Sequence, residues 1–290
     1  WEGYRMDFWS YLASILLLGI QEAAPLVLAA IGFTLIFRLN GFINVAFAES
    51  ITIGAFVGVT LNLLGWNIYV SMIPSAISGG LLSVISYLAF YRPALRRGVG
   101  KGEMIILSVG VSYLFRHVIK IIWGNETMFY SSPGTQPIKV FGVGVTNLNL
   151  VAIGLVIVTA VAITLFMYRT RYGEKMRALA DNEVLAKSSG VNPLATSTLI
   201  WAIAGVAAGV AGAFIGIRLM VSAYIGWNVI LFIIMITIVG GIGSVKGAIV
   251  AAFSVGIIQM GIALPANTYY ASIALLVLFV VALKFRKEKV

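Results

Sequence analysis

The sequence predicts an all-α fold, a polytopic integral membrane protein with about eight to ten transmembrane helices. Three observations carry this prediction. Of 290 residues, 60% are hydrophobic and only 10% charged, too little polar surface to coat a soluble globule of this size. Apolar stretches of about 17 to 25 residues, each long enough to cross a hydrocarbon core of about 30 Å, follow one another with short connections. The charges gather in those connections. No remaining segment is long enough to bury a core of its own in water, so residues 1–290 read as a single transmembrane domain.

The first stretch, 10–37, is interrupted by Gln21, Glu22 and Pro25, which predicts a kinked helix or two short pieces. Stretches 42–64, 68–91, 103–123 and 147–168 follow, then a polar connection over 169–196, then 197–217, 228–245, 247–264 and 269–285. A weak echo between NVAFAESITIG (44–54) and NVILFIIMITIVG (228–240) hints at an internal repeat. Trp1, in place of an initiating methionine and without a signal-peptide pattern, suggests a trimmed terminus.

Orientation follows from the basic residues. Alternate connections hold Arg38; Arg92, Arg96, Arg97 and Lys101; Arg169, Arg171, Lys175, Arg177 and Lys187; Lys246; and Lys284, Arg286, Lys287 and Lys289, which is 15 of the 20. The other side holds only Arg5, Lys139 and Arg218. The positive-inside rule makes the first set cytoplasmic, with the N-terminus outside and the C-terminus inside. The net charge of +10 is then a record of topology rather than a sign of nucleic-acid binding. A sequon at Asn125 falls in an outer connection.

The connection RTRYGEKMRALADNEVLAKSSGVNP is the most polar continuous piece. It predicts a short helix with Asp181 at its N-cap, Glu183 in the first turn, Lys187 within it, and Gly190 closing it before Pro193. Upstream, GEKMRALA is a good helix former that carries Arg177. On local signals alone this piece is either a solvated connector or a docking element. Downstream, Gly205, Gly209, Gly212 and Gly216 fall on one helical face, where small residues let helix backbones approach closely. Gly240, Gly241 and Gly243 predict a tight turn. GGIGSVKG does not satisfy the Walker pattern, because Lys246 precedes a glycine rather than a Ser or Thr.

Cysteine is absent, and the lone His117 cannot form a cluster, so neither a cysteine-based metal site nor a recognisable catalytic set is present. Chemistry is therefore sought among ionisable groups inside the membrane, where a lone charge costs at least about 2.5–3.5 kcal/mol. Glu22 lies deep in the first stretch beside Gln21, and an ion pair to Arg116 or Lys120 is open to it. Arg116 and Lys120 lie four apart on one face and read as snorkelling toward the outer headgroups. Asn44 and Glu49 would point about 140° apart on a straight helix, so either the backbone breaks or the two have separate roles. Asn44 suits a cap or turn, whereas Glu49, with Thr52 on its face, extends a polar strip. Gln21, Glu22, Asn44, Glu49 and Thr52 are the candidate pathway residues.

Four segments in order resemble the permease subunits of branched-chain amino acid ABC transporters. They are GFTLIFRLNGFINVAFAE; YRPALRRG, with Ala94 where the family pattern has Leu; GEKMRALADNEVLAKSSGVNP with its small-residue span; and GGIGSVKGA. Together they extend from about Gly32 to Ala248. Phe47 replaces a histidine common in the family, so a role needing imidazole does not carry over.

The resemblance implies a non-enzymatic importer subunit, a single permease domain with a coupling loop at 169–196. It also implies a second homologous permease chain or a second copy of this one, two cytoplasmic ATPases that hold ATP and Mg, and an extracellular solute-binding protein. No cofactor is implied in this chain. Arg177, Asp181, Glu183, Lys187 and Gly190 are the expected coupling residues. Urea, short amides, nucleosides and simple sugars remain alternative cargoes. A secondary ion-coupled carrier remains the alternative class.

Overall fold

The computed structural model describes residues 8–131, 137–140 and 143–285. Arg5 and the basic residues from 286 onward, which entered the orientation argument, lie outside them. The elements are α1 (Phe8–Asn40), α2 (Phe47–Leu63), α3 (Ile68–Ser86), a π-helical turn (Tyr87–Tyr91) running into α4 (Arg92–Arg96), and α5 (Lys101–Trp123). A small antiparallel hairpin, β1 (Pro137–Val140) and β2 (Val143–Thr146), precedes α6 (Asn147–Arg169). Then come α7 (Arg171–Asp181), α8 (Glu183–Ser188), α9 (Pro193–Arg218), α10 (Ile225–Val239), α11 (Val245–Ala263) and α12 (Thr268–Phe285).

Five helices among the described residues are long and apolar enough to cross a bilayer, six if α6 and α7, bent by 71°, count as one. Three shorter apolar helices, Phe47–Leu63, Ile225–Val239 and Thr268–Ala282, occupy the other stretches read from the sequence. The protein is an all-α polytopic membrane protein. Pro25 lies inside one continuous α1, so the first stretch is neither broken nor divided.

The second stretch begins later than its hydropathy suggested, because residues 41–46 are not helical. Gly41, at φ 71°, takes a left-handed conformation that ends α1. The same arrangement recurs after α9. A long helix, six non-helical residues and a short apolar helix make up both α1 to α2 and α9 to α10, with connections at 41–46 and 219–224. This is an internal symmetry, but its register differs from the sequence echo. Aligning the helix starts pairs Phe47 with Ile225, whereas the echo pairs Asn44 with Asn228.

At the centre, α9 packs against α1, α2 and α3. Gly209 is one of the closest points: a Cβ there would overlap the Ser75 carbonyl of α3, and Gly54 of α2 and Gly79 of α3 meet the same backbone. Below this seam Trp201 stacks between Tyr91, at 5.0 Å, and Tyr87, at 5.3 Å. Between α10 and α11 the chain turns through Gly240, Gly241 (φ 100°) and Gly243 (φ 79°). Ser244 Oγ then accepts from Gly247 N at 3.1 Å and caps α11. The Gly240 carbonyl lies where a Cβ of Gly247 would stand, so the glycines of GGIGSVKG serve a turn and a close backbone contact.

Candidate functional site

Glu49 is the third residue of α2, just past the break, and its side chain is fully buried. Its closest partners come from α5. Arg116 donates to Glu49 Oε1 through Nε at 3.1 Å and Nη2 at 2.7 Å. Ser112, one turn earlier on the same face, donates to that oxygen at 2.8 Å and accepts from Arg116 Nη2 at 3.0 Å. Glu49 Oε2 is buried without a hydrogen-bond partner. Arg116 is thus 3% exposed and tied to a carboxylate, which corrects the expectation that it snorkels. Burying both charges costs hydration that only their mutual attraction and hydrogen bonds offset.

The outer face of the guanidinium is covered by aromatic rings. Arg116 lies 4.4 Å from the Trp227 ring, 5.4 Å from Tyr113 and 5.5 Å from Tyr224, within the range of cation–π attraction. Lys120, one turn on, donates to the Tyr224 hydroxyl at 2.8 Å. Tyr113, Tyr224 and Trp227 are themselves 52%, 47% and 36% exposed, so a buried ion pair opens onto a wall of polar-edged aromatics. Trp227 and Tyr224 stand here because the chain breaks before α10. The Gly226 amide donates to Thr52 Oγ1 at 3.3 Å, and that hydroxyl donates to the Ala48 carbonyl at 3.1 Å. Thr52 therefore anchors the start of α10 on α2.

Asn44 lies in the first break and is buried. Its Oδ1 accepts from the Tyr91 hydroxyl at 2.8 Å, while α2 has no side-chain cap. Of the cap or turn role expected for it, the turn is what forms, with Phe47 N donating to the Asn44 carbonyl at 3.3 Å, while the side chain ties the break to the π-helical turn. Glu22 pairs with Arg218 of α9, not with Arg116 or Lys120, and Arg218 Nη1 also donates to the Gln21 carbonyl at 3.1 Å. This pair is about a quarter exposed. The structure thus makes two ionic sites out of the five pathway candidates. Arg218, Ser112 and the three aromatics were missed from sequence, although Ser112, Arg116 and Lys120 form an i, i+4 row on α5.

The polar connection holds two helices. Thr170 caps α7 by accepting from Gly173 N at 3.2 Å, and Arg177 turns back to the Met167 carbonyl. Helix α7 continues through Asp181, so the N-cap of α8 is Asn182, which accepts from Leu185 N at 3.0 Å; the expected Asp181 cap is displaced by one residue. Asp181 instead lies 3.8 Å from Arg38 at the end of α1. Glu183 pairs with Lys187 at 2.7 Å. Gly190, at φ 83°, closes α8: Gly190 N bonds to Lys187 O and Val191 N to Ala186 O, both at 3.0 Å, the two bonds of a Schellman motif. Met176, Leu179 and Ala186 are buried. Val184 and Leu185 point the other way, 76% and 64% exposed.

Among the described residues no group of three or more His, Asp or Glu could hold a metal ion. A family model described as the permease component of branched-chain amino acid transport systems matches residues 15–283. A protein named as a probable branched-chain amino acid transport permease, LivH, of Methanocaldococcus jannaschii is 27% identical over 86% of this chain and 79% of its own length. The high-affinity branched-chain amino acid transport system permease LivH of Escherichia coli K12 is 24% identical over 90% of both chains. A solved metal-chelate type ABC transporter in an inward-facing conformation shares the fold, with a TM-score of 0.54 at 15% identity over 94% of this chain and 85% of that one. The chain belongs to the branched-chain amino acid transport permease family.

Proposed function

We propose that this family member is the membrane-spanning subunit of an ATP-driven importer for branched-chain or related amino acids. Separate ATPase chains power it and an extracellular solute-binding protein supplies it. In this reading the chain pairs with a homologous permease or a second copy of itself, and the end carrying α7 and α8 is cytoplasmic, as the basic connections favour. The observation that carries it is α8. Val184 and Leu185 lie exposed on a short helix fixed at both ends, by Asn182 and by the Gly190 motif. Covering such side chains is worth about 1.5–3 kcal/mol each, which suits a knob received by a partner groove. Because α8 is capped rather than frayed, a push on it is not lost in local unfolding. It passes through Ala186, Leu179 and Met176 to the bundle, and through Asn192, the cap of α9, into the central helix.

Solute would cross along the face that presents Tyr113, Tyr224 and Trp227, with Glu49 and Arg116 behind them. The chain's own role is then gating and positioning, with hydrolysis left to its partners.

The docking reading is tested by Val184→Glu/Leu185→Glu in vesicles reconstituted with the ATPases and the binding protein. Leucine uptake is expected to fall at least about tenfold, corresponding to roughly 1.4 kcal/mol or more, and the ATPases to dissociate on size-exclusion chromatography. Reconstitution yield should be unchanged. Undiminished uptake by the double variant would overturn the reading.

A further inference from the structure

A cavity of about 750 Å³ lies at the end of the bundle that carries α8, between the fixed ends of α1 and α4 and the docking segment. Its lining is unbalanced in charge. Arg92, Arg96 and Lys187 share it with one carboxylate, Glu183, and that carboxylate is engaged by Lys187 at 2.7 Å. Among the described residues Arg92 and Arg96 make no ion pair and no side-chain hydrogen bond, although Arg92 is half-buried. The lining also includes Asn40, whose amide Nδ2 is buried with no acceptor. Half-buried Arg92 and exposed Arg96 thus set two guanidinium groups without an acceptor at the cavity wall, and for Arg92 the partial loss of water is costly unless a ligand supplies an acceptor.

We propose that this cavity binds a phosphate-bearing anion, either the headgroup of an anionic phospholipid or free phosphate. Arg92 and Arg96 hold it. The planar guanidinium fork matches two phosphate oxygens at once, and a basic pocket between membrane helices beside the charged connections is the common setting for headgroup binding. Because Lys187 of α8 lines the cavity with Arg92 and Arg96 of α4, an anion held by the two arginines also attracts the docking helix toward the bundle. That consequence rests on the reading of α8 as the docking element, whereas the binding itself does not.

The absence of cysteine gives a direct assay. Leu194, which lines the cavity and is 37% exposed, is replaced by Cys in the full chain, and its maleimide labelling rate is measured in nanodiscs. One arm uses phosphatidylcholine alone, with and without inorganic phosphate. The other uses equal parts phosphatidylcholine and phosphatidylglycerol. Labelling is expected to slow about tenfold when the ligand stands at about ten times its Kd. Slowing in the phosphatidylglycerol arm alone identifies the lipid headgroup; slowing with inorganic phosphate identifies a soluble anion. Arg92→Gln/Arg96→Gln is expected to abolish the effect with the elution profile preserved. Unchanged labelling in both arms, or slowing that survives the double variant, overturns the site. No ATPase or solute enters this assay, so its failure leaves the transport reading intact. Failure of the Val184 and Leu185 test would remove only the mechanical consequence.

Discussion

Glu49→Leu is expected to be among the most destabilising single substitutions in the chain, by about 3–5 kcal/mol, because it leaves the Arg116 guanidinium buried with its carboxylate gone. Ser112 alone cannot replace the charge: its hydroxyl is already shared between Glu49 Oε1 and Arg116 Nη2. The three aromatic rings attract the cation from outside but accept no strong hydrogen bond from it. The measurement is the thermal unfolding midpoint in detergent, followed for wild type, Glu49→Leu, Arg116→Met and the double variant. The double variant is expected to recover most of the loss, since an apolar pair of similar size is often as stable as a buried ion pair. Uptake separates the two roles of the pair. If it only holds α2 against α5, the double variant transports; if it lines the solute path, the double variant is folded and inactive. Glu49→Gln, which keeps shape and an acceptor, is the milder control. A Glu49→Leu midpoint matching wild type would show that the pair contributes nothing to stability.

The helical class and the nine apolar stretches were legible because lipid demands about 20 consecutive apolar residues and the chain has little else. The breaks were less so: the angle of about 140° between Asn44 and Glu49 left a break before α2 as one of two alternatives, and nothing signalled the one before α10. GFINVA at 41–46 is itself apolar, and hydropathy reports the surroundings of a side chain, not whether the backbone bonds to itself. One amide of that break, Val45 N, finds Ser108, whose Oγ accepts from it at 3.0 Å, a partner on another helix. The ionic partners were hidden for the same reason. Glu49 and Arg116 are 67 residues apart, and no periodicity joins α2 to α5. At α8 the difficulty was local: Asp181 and Asn182 are both good caps, and the choice turns on whether α7 keeps its last residue. Val184 and Leu185 gain meaning only once Ala186 is seen to occupy the inner face.

The glycine row at 205, 209, 212 and 216 was visible from its spacing, but its meaning depends on what faces it, and that yields the second large effect. Gly209→Leu is expected to prevent the central helices from packing. The Gly209 Cα lies against the backbone of both α2 and α3, with the Ser75 carbonyl in the place a Cβ would take. A side chain here has no flexible neighbour to displace, so two whole helices must separate. Overpacking of a side-chain core typically costs about 1–3 kcal/mol, and a backbone-on-backbone seam has less room to adapt. Shifting α2 also carries Glu49, little more than one turn from Gly54, away from Arg116, so the ion pair is strained by the same change. Gly110→Ala and Gly154→Ala supply the contrast. Both glycines are exposed with no atom within 4 Å of an added Cβ, and alanine there is expected to be neutral or to add up to about 1 kcal/mol through helix propensity. The check is the monodisperse fraction after detergent extraction together with the unfolding midpoint. Gly209→Leu should aggregate, Gly209→Ala should melt several degrees early, and the two peripheral variants should match wild type. Equal behaviour at 209 and 110 would mean that α9 is not held at backbone contact, and that the stripe contributes helix character alone.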